Sequence, residues 1–408
     1  MTITGPLPSH LWAGNDVFSA LLDCSKAFDM VEWVTLFRDL IKRKVSFIYL
    51  RVLLFIYEEQ SCDVTWNGKF SYRFSVKNGV RQGAVSSPIL FGLYIDKLIK
   101  LLRISELGCQ IGKHYYGVLV YADDIILLCP SRAGLQAMIR ICEKFASENN
   151  LRFSTHSDPK KSKTKCVHFS KRKLDLAKIV LNGDTLPWVD SAKHVGNTLE
   201  RDNSFSKDLT LKRGDFIGRI HSIMQEVYFA NPLVKMRMFK IYTTSFYGSS
   251  LWNIFEGPCQ RLYTAWNTSI RMAFDIPRET HRYFIEGISE CWHPQRMLVK
   301  RFMKFHETIQ RTQKTSIRYL SKLSERNLMT VYGQNLWNIS HRSSEPLENL
   351  TAKDVGEKFK YVDIPEQELW KIDVIKELLE LKWNESEIDN FDFDKTELDE
   401  LLSDLCAS

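Results

Sequence analysis

Two adjacent carboxylates, Asp123 and Asp124, stand inside an apolar stretch, GVLVYADDIILLC at residues 117–129. The runs on either side read as short buried strands, being brief, branched and bounded by Gly117 and Pro130. Acids placed in such surroundings need a partner for their charge. A third acid, Asp23, closes another short apolar run, VFSALLD, 100 residues before Asp123. If the two strands are neighbours in one sheet, the Asp23 and Asp123 carboxylates converge to a metal-bridging distance, on the order of 4–6 Å for two ions ~3.5–4 Å apart. Converged acids repel, so either their pKa values rise or a cation compensates them. Hard oxygen ligands suit Mg²⁺, which keeps waters and takes further ligands from substrate phosphates. Two such ions support phosphoryl transfer, one at the attacking hydroxyl and one at the leaving pyrophosphate.

The elements that must position these acids are legible around them. After Asp23 the pattern predicts a helix with Asp29 near its start and Val31, Val34, Leu36, Phe37, Leu40 and Ile41 as its apolar stripe. Asp29 reads as a helix-start residue rather than a ligand. A second helix is expected over 45–57, then a hairpin turning at Asn67-Gly68. The stretch KNGVRQGAVSSPILFGLYIDKLIKLL opens polar and Gly-containing and continues as an apolar helix from about Ser87, with Pro88 in its first turn. A helix over 134–149 follows the acid-bearing strands, then the lysine-dense DPKKSKTKCVHFSKRK. LNGDTLPWVDSAKHVGNTL suggests hairpins with short strands, and residues 208–322 turn helical, rich in aromatics and arginines. There Trp252, Tyr263, Trp266, Phe274 and Trp292 interleave with Arg261, Arg271, Arg278 and Arg282. Helix packing is the first reading of that pattern, and stacking on nucleic acid the second.

Length and charge bound the classes. The 408 residues leave room for two or three domains, with 44% apolar content to fill their cores. The longest apolar run, VSFIYLRVLLFIY, is 13 residues broken by Arg51, short of a membrane span. The first sixteen residues lack the basic start and apolar centre of a secretory signal. Nine scattered cysteines point to neither a zinc finger nor a disulfide framework, so reduced intracellular thiols are expected. The net charge of +7 conceals a division. Residues 345–408 carry 19 acidic and 7 basic side chains, the preceding 344 carry 49 basic and 30 acidic. A basic body of that kind suits a polyphosphate partner.

LLDCSKAFD, GVRQGAVSSPILFGLYID, VYADDIILL and KSKTKCVHF occur in the order and approximate spacing of the palm motifs of reverse transcriptases, in the variants of LINE-type (non-LTR) retrotransposons. AKHVGNTLE resembles the hairpin that supports the primer end in that family, and the helical segment after it is similar to the thumb; the likeness runs from Val17 to Thr312. The resemblance implies an α+β fold: a polymerase palm, an antiparallel sheet flanked by helices, followed by an α-helical thumb and C-terminal region. It divides the chain into a non-family segment (1–16), the palm (17–173), the primer-grip-like hairpin (174–204), the helical region (205–344) and an acidic tail (345–408). It implies an RNA-directed DNA polymerase adding dNTPs to a DNA primer on an RNA template, with two Mg²⁺ ions for which Mn²⁺ can substitute. Asp23, Asp123 and Asp124 match the catalytic and metal-holding acids, and Lys163 the lysine that protonates pyrophosphate. Phe28 matches the aromatic that excludes a 2′-hydroxyl; Gln82 and Gly83 lie against the incoming nucleotide. Tyr121 and Arg81 match primer- and template-side positions. Element RNA in a ribonucleoprotein, in nucleus and cytoplasm and without a membrane, is the implied setting.

The sequence also departs from the family. The first palm motif begins near residue 17, so the fingers that grip the triphosphate are expected to be largely missing, with an apolar palm face left uncovered. Neither an endonuclease domain nor a terminal Cys/His knuckle is apparent. Arg81 stands where many relatives have proline. A catalytically inactive, truncated remnant that at most binds nucleic acid is therefore the alternative. Another palm-fold nucleotidyl enzyme, such as a cyclase, is opposed by Gln82-Gly83 and Lys163. Lys163 is itself one of four closely spaced lysines with Lys160, Lys161 and Lys165, a run that reads equally as a solvated face; Lys171, Arg172 and Lys173 extend it into a nuclear-localisation-like patch.

Overall fold

The acid-bearing segments are edge-matched strands of one sheet. The computed structural model describes residues 16–170, 175–343, 346, 349–354, 369–383 and 399–404, and the chain falls into two units, one ending at Asn203 and the other beginning at Ser204. The basic triplet 171–173, the first fifteen residues and most of the acidic tail lie outside the described residues.

The first unit opens with strand β1 (Val17–Asp23) and helices α1 (Trp33–Lys42) and α2 (Phe47–Glu58). Four two-residue strands follow: β2 (Ser61–Cys62), β3 (Thr65–Trp66), β4 (Lys69–Phe70) and β5 (Phe74–Ser75). Helix α3 (Ser87–Ile104), the small pair β6 (Gln110–Ile111) and β7 (His114–Tyr115), and strands β8 (Val118–Tyr121) and β9 (Asp124–Cys129) come next. Helix α4 (Arg132–Glu148) and β10 (Lys165–Phe169) complete the central sheet, and two hairpins close the unit: β11 (Ile179–Leu181) with β12 (Asp184–Leu186), and β13 (Ser191–His194) with β14 (Asn197–Glu200).

The central sheet runs β10-β1-β9-β8, antiparallel throughout. Alternation divides its residues. Ala20 and Leu22 of β1 and Ile125 and Leu127 of β9 join one buried cluster with Phe91, Tyr94, Ile95 and Leu98 of α3 and Leu135, Met138 and Ile139 of α4. Each of the larger aliphatic and aromatic side chains among them contributes roughly 1.5–3 kcal/mol on burial, and truncating one leaves a cavity that adds to the loss. The intervening residues, including Leu21, Asp23, Asp124 and Ile126, project to the opposite face.

Several local expectations hold for physical reasons. Pro88 sits in the first turn of α3, as expected; α4 starts two residues earlier than the pattern suggested, capped by the Ser131 hydroxyl, which accepts the Gly134 N–H at 3.1 Å. Asn67 and Gly68 take φ values of +47° and +74°, the left-handed pair that a two-residue hairpin turn needs. Helix α1 corrects the reading after Asp23: it begins at Trp33, so Asp29 lies in the preceding turn and is exposed. With that start, Leu36 and Leu40 face inward, while Val34 and Ile41 are 70% and 62% exposed. Helix α2 also presents Phe47, Ile48, Val52 and Phe55 to its surface, burying only Tyr57.

The second unit is helical: α5 (Ser206–Glu226), α6 (Pro232–Thr243), α7 (Gly257–Phe274), α8 (Arg282–Ser289), α9 (Pro294–Arg311), α10 (Thr315–Glu325) and α11 (Val331–Ser343), with a further helix at Leu369–Trp383. Its centre is aromatic. Phe216 stacks on Trp266 at 5.8 Å between centroids, and Phe239 meets the same ring edge-on at 4.7 Å. Trp252, Tyr263, Trp266 and Phe274 are each at most 2% exposed, so these four are core. Trp292 is not, at 37% exposed. Among the described residues no helix is long and apolar enough to cross a membrane.

Candidate active site

Three strands end in one row of functional side chains. Asp124 at the start of β9 is registered against Asp23 at the end of β1 on one side and against Tyr121 at the end of β8 on the other. Directly opposed residues share a face, so Tyr121, Asp124 and Asp23 project together. On the far side of β1 the ladder to β10 is recorded up to Leu21 opposite Lys165, and extending that register by two residues brings Lys163 level with Asp23. Lys163 is exposed; Lys165, in the strand itself, is partly buried.

Asp123 lies in the two-residue turn between β8 and β9, beside Ala122 at φ +52°. A non-glycine residue held there carries strain. Its carboxylate and that of Asp23 both act on one group, the Cys24 thiol. Burial drives that thiol up to about 11 and a backbone hydrogen bond at Arg152 opposes the rise, while Asp123 and then Asp23 add to it. Both acids thus lie within electrostatic reach of the Cys24 thiol. Asp124 is felt elsewhere. The His194 imidazole is pushed down by burial and drawn partly back by the Asp124 carboxylate.

The expected three-acid ligand set is not drawn together as a closed trio. Among the described residues no three His, Cys, Asp or Glu side chains form a metal-holding group. The physical reason is in the register: Asp123 is exposed in the turn, while Asp124 lies in the strand directly opposite Asp23. Two carboxylates still fit a hard cation, since Mg²⁺ needs only one or two from protein and fills its shell with water and phosphate oxygens.

The backbone of Asp23 is fixed from both sides. Its N–H donates to the buried Thr164 hydroxyl at 3.2 Å, and its carbonyl accepts the Ser154 N–H at 2.7 Å. Thr164, 0% exposed, was not among the sequence candidates because a threonine between two lysines looks like filler in a charged run.

The remaining candidates sit on loops packed beside the row. Phe28 is half-buried, stacked on Phe91 at 5.1 Å. Its carbonyl accepts the Val80 N–H at 2.8 Å, and a Cβ on Gly79 (φ +91°) would lie 3.0 Å from that same carbonyl oxygen. Only glycine lets the two segments approach so closely. Arg81, Gln82 and Gly83 follow as an exposed loop, with Gly83 at φ +84°. The Ser87 hydroxyl ties that loop to α3 by donating to the Arg81 carbonyl at 2.6 Å.

The family described as reverse transcriptase (RNA-dependent DNA polymerase) matches residues 12–198. The Pol polyprotein of the type-2 retrotransposable element R2DM of Drosophila melanogaster is 32% identical over 122 residues, 30% of this chain and 11% of the relative. The RNA-directed DNA polymerase from the mobile element jockey of the same species is 28% identical over 202 residues, 47% of this chain and 20% of the relative. The chain thus spans a fifth or less of these two relatives. Telomerase from Candida albicans aligns with 84% of this chain and 51% of its own at 9% identity and a TM-score of 0.37, a likeness that carries no argument.

Proposed function

Because residues 12–198 are a reverse transcriptase domain of the non-LTR retrotransposon kind, we propose that this chain extends a DNA primer with dNTPs on an RNA template. The observation that carries the reading is the register of Asp23 against Asp124 with Asp123 in the adjoining turn. Reverse transcriptases use divalent metal ions. In this reading Asp23 and Asp123 hold two Mg²⁺ ions, or Mn²⁺, with Asp124 as the neighbouring acid. When bound, such ions neutralise phosphate charge and lower the pKa of the attacking 3′-hydroxyl.

The chain's own residues supply position and exclusion. Thr164 and Ser154 hold the Asp23 backbone, which fixes where its carboxylate begins. Positioning accounts for much of phosphoryl-transfer catalysis, so a rigid anchor for one acid matters. Phe28 closes the sugar side of the nucleotide site and rejects a 2′-hydroxyl by bulk. Gln82, Gly83 and Arg81 lie along the nucleotide and template, Tyr121 at the primer end, and Lys163 gives its ammonium proton to the departing pyrophosphate. The assignment extends to work on element RNA in a ribonucleoprotein of nucleus and cytoplasm.

Primer extension on a primed RNA template with dNTPs and Mg²⁺ tests this, the chain beside Asp123→Ala. Incorporation by the chain that falls at least about 100-fold in the variant, the scale of removing one transition-state charge partner, supports it. No incorporation by either protein, with primer–template still bound, means that this chain does not polymerise.

A further inference from the structure

Of Trp252, Tyr263, Trp266, Phe274 and Trp292, which interleave with arginines, it is Trp292 that does not enter the core. It lies in the link between α8 and α9, 37% exposed, with the Arg296 guanidinium 4.3 Å and the Lys300 ammonium 4.8 Å from its ring centre. Lys304 continues the series at the same four-residue interval, so Trp292, Arg296, Lys300 and Lys304 line one side of α9 and its entry.

Like charges at this interval repel on a helix, and the nearby acids leave Lys300 and Lys304 uncompensated among the described residues. Glu307 is paired with Arg311 at 3.8 Å and accepts the Ala352 N–H. Glu290 is paired with Lys376 at 3.3 Å. Half-buried Glu286 accepts the His293 N–H and feels Arg296. Among the described residues Lys300 and Lys304 have no carboxylate partner.

We propose that this stripe binds single-stranded RNA, phosphates along Arg296, Lys300 and Lys304 and one base stacked on Trp292. Successive cations are about 6 Å apart along the helix, close to the interval of phosphates on an extended strand. An aromatic flanked by cations suits a base beside its phosphate better than an acidic peptide, which offers nothing flat to stack. The choice of RNA rests on the function proposed above, whose template is RNA.

The test is fluorescence anisotropy of the full chain with a labelled, unstructured single-stranded RNA across a range of sodium chloride, alongside primer extension. Lys300→Ala with Lys304→Ala is expected to weaken binding and to flatten the slope of log affinity against log salt by about 1.4, at about 0.7 per phosphate lost. Trp292→Ala is expected to weaken it about 5- to 100-fold with the slope unchanged, and Trp292→Phe to restore most of that. Unchanged affinity and slope in both variants overturns the proposal. So does binding of single-stranded DNA alone, or a lysine variant that alters only low-salt thermal stability, which assigns the stripe to the chain's own acidic segment. RNA binding that responds as expected in a chain that never extends a primer leaves this proposal standing and removes the polymerase reading.

Discussion

At the residue scale, the account depends on where two carboxylates begin and what stands beside them. Asp23 is anchored through its backbone, by Thr164 and Ser154, rather than through its carboxylate. Thr164→Val keeps the shape and removes the acceptor, leaving the Asp23 N–H unsatisfied at a cost of about 1–3 kcal/mol. The expected result is a lower denaturation midpoint together with a fall in kcat that exceeds any change in KM. An unchanged kcat would show that the anchor does not position the acid. Phe28 acts by size. Phe28→Val is expected to lower discrimination against ribonucleotides by about 10- to 200-fold, the range for one small group in a fitted pocket, measured as the ratio of kcat/KM for dNTP and rNTP. The acids and Phe28 were legible in sequence because their residue types are costly or unusual where they stand. Thr164 was not, since only the fold shows which backbone group a buried hydroxyl meets.

Turns and caps decide the element scale. The β13–β14 hairpin turns through Val195 at φ +45° and Gly196 at +74°. A β-branched residue in the left-handed region costs about 1–2 kcal/mol, whereas asparagine is suited to it. Val195→Asn is expected to stabilise the first unit by about 1 kcal/mol, read as a raised urea midpoint at constant m; no rise contradicts the strain. Helix α9 is capped by the buried His293 side chain, which accepts the Gln295 N–H at 3.2 Å. Burial first, and Arg282 second, hold its imidazole down at about 3, against 6.5 unperturbed. Between these values the unfolded chain takes up a proton that the folded chain refuses. Stability present above pH 6.5 is therefore lost as pH falls, by about 2 kcal/mol at pH 5. His293→Asn keeps a cap acceptor and is expected to flatten that dependence, measured by denaturation at pH 7 and pH 5. Equal pH slopes in both proteins would contradict it. The Asn67-Gly68 turn was readable from two residues; the start of α1 was not. Asp29 looks like a cap, but residues 24–30 are spent on contacts to the segments around Arg152 and Val80.

On the scale of the whole molecule, a basic body of 344 residues carries an acidic segment of net −12. The order of elements, sheet strands and then helices, followed from period and turn signals. What the aromatic-rich half does with its tryptophans did not, because aromatics alternating with arginines look alike on packed helices and on binding faces. Burial separates them: Trp252 and Trp266 are core, and Trp292 is at the surface. The chain spans 11% of the length of the R2DM relative and 20% of the jockey one.

The central claim is that the end of the β1–β9 ladder is a two-carboxylate site for divalent cations. Mn²⁺ binding to the chain with primer–template, followed by electron paramagnetic resonance, measures it directly in Asp23→Asn, Asp123→Asn and, as a control from the same segment, Asp29→Asn. The account predicts about two bound ions, lost or weakened at least about tenfold in the first two variants and retained in the third. Equal binding in all of them, or loss only in Asp29→Asn, would contradict it.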